Sequence, residues 1–276
     1  MTRGIEFACC VRVLCFTELL PGDVRTALYE PMGFLVAKNG LPTCKRLREV
    51  LREAQQSDNG GLGFHMWGTV VDRNGVVVAI AHTGKHLGDQ WPGSRIISAQ
   101  KANAANSLSL DTFALSTANL YSAVQPGGTL FGLEDTNPVN PQAVYGGDPE
   151  EYGTSSDFLI GRRPGGINVF GGGLALYAAD GRVIGGLGVS GDYSCADHNI
   201  AWKARHMLEL DYVPSGVDPI VIPGKPNDDN IVYDIDPKTG RSASGWGHPV
   251  CPGKTKEIGL SLPAQYPIRR RRRCAD

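Results

Sequence analysis

The chain has 276 residues, 41% hydrophobic and 20% charged, which excludes a mainly disordered polymer and suffices for one large core. Its 27 Lys and Arg nearly cancel 28 Asp and Glu, so no global field gathers phosphate backbones or anionic lipid, and neither nucleic acid nor a membrane is an expected partner. No run approaches the roughly 20 apolar residues of a membrane span. With 36 Gly and 18 Pro, much of the chain is expected in turns and long loops around a smaller scaffold.

Residues 1–40 carry Cys9, Cys10 and Cys15 without a clean period and read as an arm. Phe7 to Phe16 is apolar but interrupted by Arg12, with no convincing cleavage pattern behind it, so the chain reads as cytoplasmic, with secretion left open. Thr43 is a plausible N-cap, and Leu47, Val50 and Leu51 at helical spacing predict a first helix through Gln56. Phe64–Val71 and Val76–Ala81 flank Asp72-Arg73-Asn74-Gly75 and predict a hairpin. After a polar loop from His82 to Pro92, Ser94–Leu108 predicts a second helix, extending into Asp111–Val124. Gln125–Gly166 is a long loop, which at that length is expected to serve function or assembly. Ile167–Tyr177 and Val183–Val189 flank Asp180-Gly181 and predict a second hairpin, whose glycines admit another backbone or a flat ligand. Ser194–Leu210 reads as the final helix. The tail from Pro214 is Pro-rich, with one possible strand at Asn230–Ile235, and ends near five arginines, Arg269 to Arg273, read as a solvated terminus or a polyanion contact. Hairpins alternating with helices argue for an α+β layered domain with an antiparallel sheet.

These residues resemble a known family. The Asp72–Gly75 hairpin, Ala99-Gln100-Lys101-Ala102 on the following helix, Gly171-Gly172-Gly173-Leu174-Ala175-Leu176 and Ile184-Gly185-Gly186-Leu187-Gly188-Val189-Ser190-Gly191, with Asp197 and Ala201 behind them, look like the GlcG/HbpS family of heme-binding proteins, which includes the C-terminal domain of PduO-type proteins. The resemblance runs from the first helix to Leu210. It implies a profilin-like three-layer α/β/α fold with a central antiparallel sheet of about five strands, homo-oligomers and heme as cofactor. The expected organisation is an arm (1–40), a GlcG/HbpS-like domain (41–213) with an insertion at 125–166, and a C-terminal extension (214–276).

A heme iron needs an axial donor in a dry pocket, with cations or amides for the propionates. His82, His86 and His198 are the candidate metal ligands. Ser94, Arg95 and Lys101 near the start of the second helix, closed over by Arg162 and Arg163, make a candidate anion site beside Gly171 and Gly172. The expected function is binding of heme or a related planar small molecule beside the Gly-rich hairpin, for transport, sensing or degradation. The alternative is a cofactor-independent isomerase, lyase or hydrolase using Asp192, Tyr193, Cys195, Asp197 and His198 for acid/base or thiol chemistry. Cys195 and His198 with His248 and Cys251 also offer a zinc-type donor set, while a Cys195–Cys251 disulfide or two buried thiols remain open. Seven cysteines, an odd number, leave at least one unpaired within the chain.

Overall fold

The computed structural model describes residues 40–217 and 227–270. The expected arm to residue 39, with its three cysteines, and Arg271, Arg272 and Arg273 lie outside the described residues. Helix α1 (Cys44–Gln56) begins where Thr43 Oγ1 accepts the Arg46 N–H at 3.3 Å, and buries Leu47, Val50, Leu51 and Ala54 along one stripe. Strands β1 (Trp67–Asp72) and β2 (Val77–His82) form the first hairpin. Asp72 Oδ1 holds its turn by accepting from the Asn74 and Val76 amides, and Gly75 takes a φ of 74° there.

Helix α2 (Ser94–Ser107) stops short of the expected extension into 111–124. Ser109 Oγ accepts the Leu115 N–H and donates to its carbonyl, a local turn that competes with the helical ladder. Single turns α3 (Thr117–Leu120) and α4 (Pro141–Val144) follow. The second hairpin is β3 (Gly173–Tyr177) and β4 (Val183–Ser190); the lead-in from Ile167 is unpaired because Ile167 and Val169 pack with Leu115 and Leu120 instead. Helix α5 (Ser194–Met207) is not the last, since α6 (Thr255–Gln265) packs against it despite Gly259 and Pro263. The expected strand at Asn230–Ile235 is only an isolated bridge from Ile235 to Ser242.

The sheet is antiparallel with order β2-β1-β4-β3, so it has four strands among the described residues where about five were expected. Alternation sorts the layers: Val70, Leu187 and Val189 meet α1 and α5, while Thr69 points to α2, its hydroxyl 2.8 Å from Ser98 Oγ. The result is the expected profilin-like α/β/α arrangement. Gly186 and Gly188 let α2 lie backbone to backbone on β4: a Cβ on Gly188 would sit 1.9 Å from Ser98 O. The glycines of the hairpin thus make room for a helix.

The segment from Gln125 to Gly166 folds onto the α2 side. Val144 and Leu159 join Trp67, Val71 and Ile80 in a core, and the Val77 N–H donates to Arg162 O at the edge of β2. Parts of residues 227–270 are also built in: Leu262 lies in the main core and Arg269 folds back onto Asp211 at 2.5 Å instead of being fully solvated. No described helix is long and apolar enough to cross a membrane.

Candidate functional site

Most of the residues expected to act on a ligand are sealed and committed to protein partners. Lys101 on α2 is wholly buried; its ammonium donates to Asp197 Oδ2 at 2.7 Å and to Val189 O at 3.0 Å. Asp197 also accepts the Asp192 N–H, and burial pushes its carboxyl up to about 6 against the pull of Lys101. The Asp192 carboxylate accepts from the amides of Leu62, Gly63 and Tyr193, clamping the loop that leaves α1. Tyr193 is the cap residue of α5, where its carbonyl accepts the Asp197 N–H. Gly171 and Gly172 press on Ser194 O and Val189 O, so the space beside this hairpin holds backbone.

Ser94 Oγ pairs with Ser190 Oγ at 3.0 Å under the sheet end. Arg95 is bidentate to Asp157, donates to Val144 O and stacks on Tyr152, all within the protein. Arg162 and Arg163 do not close over it. Arg162 lies on the Phe158 ring, and Arg163 donates to Asn74 O at the far turn of the first hairpin.

The histidines divide by environment. His82 packs edge-on against Trp67 with Nδ1 3.2 Å from Gly84 O, and burial lowers its pKa. His198 has no exposed surface; Nε2 is 3.1 Å from Asn230 Oδ1, and burial lowers its pKa to about 3. His86 is exposed. The structure therefore does not bring His82, His86 and His198 together. Cys195 is disulfide-bonded to Cys251, so it offers no thiolate for nucleophilic chemistry in this state. Cys44 is the free cysteine among the described residues.

The sealed imidazoles make the fold acid-sensitive. His198, at about 3, and His248, lowered to about 4 by burial, are neutral when folded but titrate near 6.5 when unfolded. A depressed histidine pKa leaves its stability intact above pH 6.5 and removes it as pH falls toward the folded value, each histidine costing about 2 kcal/mol by pH 5. Asp197, raised to about 6, opposes part of that loss over the same range. Urea midpoints measured from pH 7 to 5 should fall; a flat or rising profile would refute the neutral assignment.

An open site exists elsewhere. A depression of about 540 Å³ is lined by Arg52, Gln55, Gln56, His65, Thr83, Lys85 and Asp89. A neighbouring one of about 670 Å³ shares Arg52 and Gln56 and adds Cys44, Lys45, Arg48, Glu49, Glu53 and residues 153–155. Packing of the apolar stripe of α1 turns these cations outward. Arg52 Nε is held by Thr83 O at 2.9 Å and Arg48 Nη2 by Gly153 O at 2.6 Å; burial and the like charge of Arg52 lower the Arg48 pKa. His65 Nδ1 lies 2.9 Å from Thr83 Oγ1, which also accepts the Met66 N–H. When Nδ1 donates to that hydroxyl, Nε2 is left with a lone pair free to ligate a metal.

The segments that carry the lining residues His65 and Asp89 also expose apolar side chains. Phe64 and Trp91 are 41% and 50% exposed and meet edge to face at 5.6 Å, with Leu62 beside Asp192's clamp at 46%. The Asp89 carboxylate is spent on the Lys85 and His86 amides, which with burial opposing hold its pKa below the usual range. His65, Arg48 and Arg52 were missed in the sequence because the polar face of an amphipathic helix and one histidine ahead of a strand look the same whether or not they border a hollow. The proximity of His86 and Lys85 to this depression is the one part of the expected ligand loop that falls at an open site.

The family model described as "Haem degrading protein HbpS-like" matches residues 43–206, more than half of the chain. Among solved structures, the crystal structure of a PduOC:heme complex is 25% identical, covering 58% of this chain and 88% of that one, with a TM-score of 0.41. Klebsiella pneumoniae protein ORFY is 26% identical, covering 59% and 86%, with a TM-score of 0.40. A double mutant of Streptomyces reticuli HbpS is 20% identical, covering 70% and 99%, with a TM-score of 0.40. No curated protein matches the chain.

Proposed function

The chain belongs to the HbpS-like family of haem degrading proteins, and from that premise we propose that it binds heme, or a related planar anionic macrocycle, at the depression walled by Arg52, His65, Thr83 and Lys85. The observation that carries this reading is the donor set. An imidazole oriented by Thr83 borders the same hollow as two cationic side chains, and the exposed, mutually packed rings of Phe64 and Trp91 belong to the segments that carry its lining residues His65 and Asp89. An iron porphyrin needs one donor for the metal, positive charge for two carboxylates and apolar surface for the ring, and these residues match each need. Bound heme would supply the iron and its redox chemistry. The protein's part is orientation: Thr83 fixes His65, and the Thr83 carbonyl fixes Arg52.

Titrating hemin into the full chain, followed by absorption, tests the proposal. A saturable Soret change with one heme per chain is expected. His65→Ala should displace the bands and weaken binding at least about tenfold, roughly 1.4 kcal/mol, and Arg52→Ala should weaken binding without moving the bands. Loss of the band shift in His86→Ala, with His65→Ala unaffected, would transfer the axial role to the loop. The sealed His82 and His198 should not govern the spectrum. Absence of any saturable change would overturn the heme reading.

A further inference from the structure

A second cluster lies apart from the depression and does not depend on the heme reading. Cys195, His248 and Cys251 bring three metal-type donor atoms within 4.8 Å of one another, the one such group among the described residues. We propose that the Cys195–Cys251 disulfide is the oxidised form of a zinc site: once a dithiol reductant opens it, both sulfurs and His248 Nδ1 hold one Zn²⁺.

The three donors already lie close together. Cys195 Sγ is 3.7 Å from His248 Nδ1, close to the spacing of about 3.5 Å between a sulfur and a nitrogen donor on tetrahedral zinc. Cys195 sits in the first turn of α5, and its own amide is directed at Cys251 Sγ at 3.3 Å, where it would stabilise a thiolate. The Ser194 hydroxyl lies 3.7 Å from Cys251 Sγ and 3.4 Å from His248 Nε2, where it can accept the ring proton's hydrogen bond once Nδ1 is metallated; water would supply the fourth ligand. Cys195 and His248 are buried, whereas Cys251 is half-buried and gives access. A disulfide by itself needs no imidazole, yet His248 is fixed beside this one by the Tyr121 ring at 5.4 Å.

The chemistry balances. The dithiol delivers two electrons and two protons to the S–S bond and itself closes to a disulfide; zinc then displaces both thiol protons without changing oxidation state. His248 now donates Nδ1–H to Pro249 O at 2.7 Å, while Nε2 accepts from the Gly171 N–H. Metal at Nδ1 requires the Pro249 carbonyl to turn away, moves the ring proton to Nε2, facing Ser194 Oγ, and leaves the Gly171 amide without that acceptor.

The test compares the reduced full chain with the variant Cys195→Ala/Cys251→Ala, so that zinc taken by the other five cysteines cancels. Equilibrium dialysis against Zn²⁺ should find one additional zinc per chain in the reduced wild type, and none additional in the oxidised protein. His248→Gln should bind that zinc at least about tenfold more weakly. Zinc should also raise the thermal midpoint of the reduced wild type but not of the double variant, which tells a folded site from capture by a loosened chain. Equal zinc content in reduced wild type and double variant, unchanged affinity in His248→Gln, or no rise in midpoint each overturns the proposal. Hemin plays no part in these measurements, so their failure is separable from failure of the heme reading.

Discussion

Arg205→Met is expected to destabilise the chain by about 4 kcal/mol, because it strands a buried carboxylate. Arg205 on α5 and Asp229 from the C-terminal segment have no exposed side-chain surface, and two parallel bonds of 2.7 Å join them. The guanidinium also donates to Ala175 O on β3 and lies over the Trp202 ring. The desolvation cost of such a pair is met only while both charges are present, so removing one costs more than the pair is worth. Arg205→Met/Asp229→Leu, which removes both charges, should recover most of the loss. Urea unfolding at neutral pH measures each step; a single variant within about 1 kcal/mol of wild type would show that the pair is not isolated from water.

The second large effect concerns the covalent tie. Cys195 and Cys251 are 56 residues apart, and a cross-link closing a loop of that length restricts the unfolded chain by about 4 kcal/mol in the chain-entropy account. Cys195→Ala/Cys251→Ala should lose about that much, and reduction of the wild type in the absence of metal should lose a similar amount. The comparison is made by urea denaturation with and without reductant. A double variant whose midpoint matches the oxidised wild type would remove the disulfide from the account of stability. The effect should be separable from that of Arg205, although both reach the same C-terminal segment, because Asp229 still finds its guanidinium when the sulfurs are parted.

Much of the scaffold was legible because local chemistry and tertiary need coincide. Thr43 caps α1 and Leu47, Val50 and Leu51 face the core, and both Asp-containing turns close antiparallel hairpins. Where the two diverge, the reading failed. The segment Thr255–Gln265 carries Gly259 and Pro263, which oppose a helix, and becomes one through burial of Leu262 and packing on α5. Ile167 and Val169 have strand character but find a side-chain cluster before they find a partner strand.

The site was less legible for a related reason. A glycine records only that something comes close; at Gly186 and Gly188 the visitor is α2, not a ligand. Polar residues that look reactive in one dimension, Asp192, Asp197, Lys101 and His198, serve as internal partners once the chain is folded. His65, by contrast, gains its meaning only when Thr83 and Arg52 are brought beside it by the first hairpin and α1.

The reach of the C-terminal segment into the core bears on the order in which the protein can be completed during synthesis. Arg205 waits for Asp229, His198 for the side chain of Asn230, and the floor beneath α5 for Leu262. A nascent chain that has emerged only as far as α5 therefore carries an unmatched guanidinium and an open apolar seam, and domains otherwise tend to fold as units from the N-terminal side. Such a chain stays unfinished until residues 227–270 have emerged.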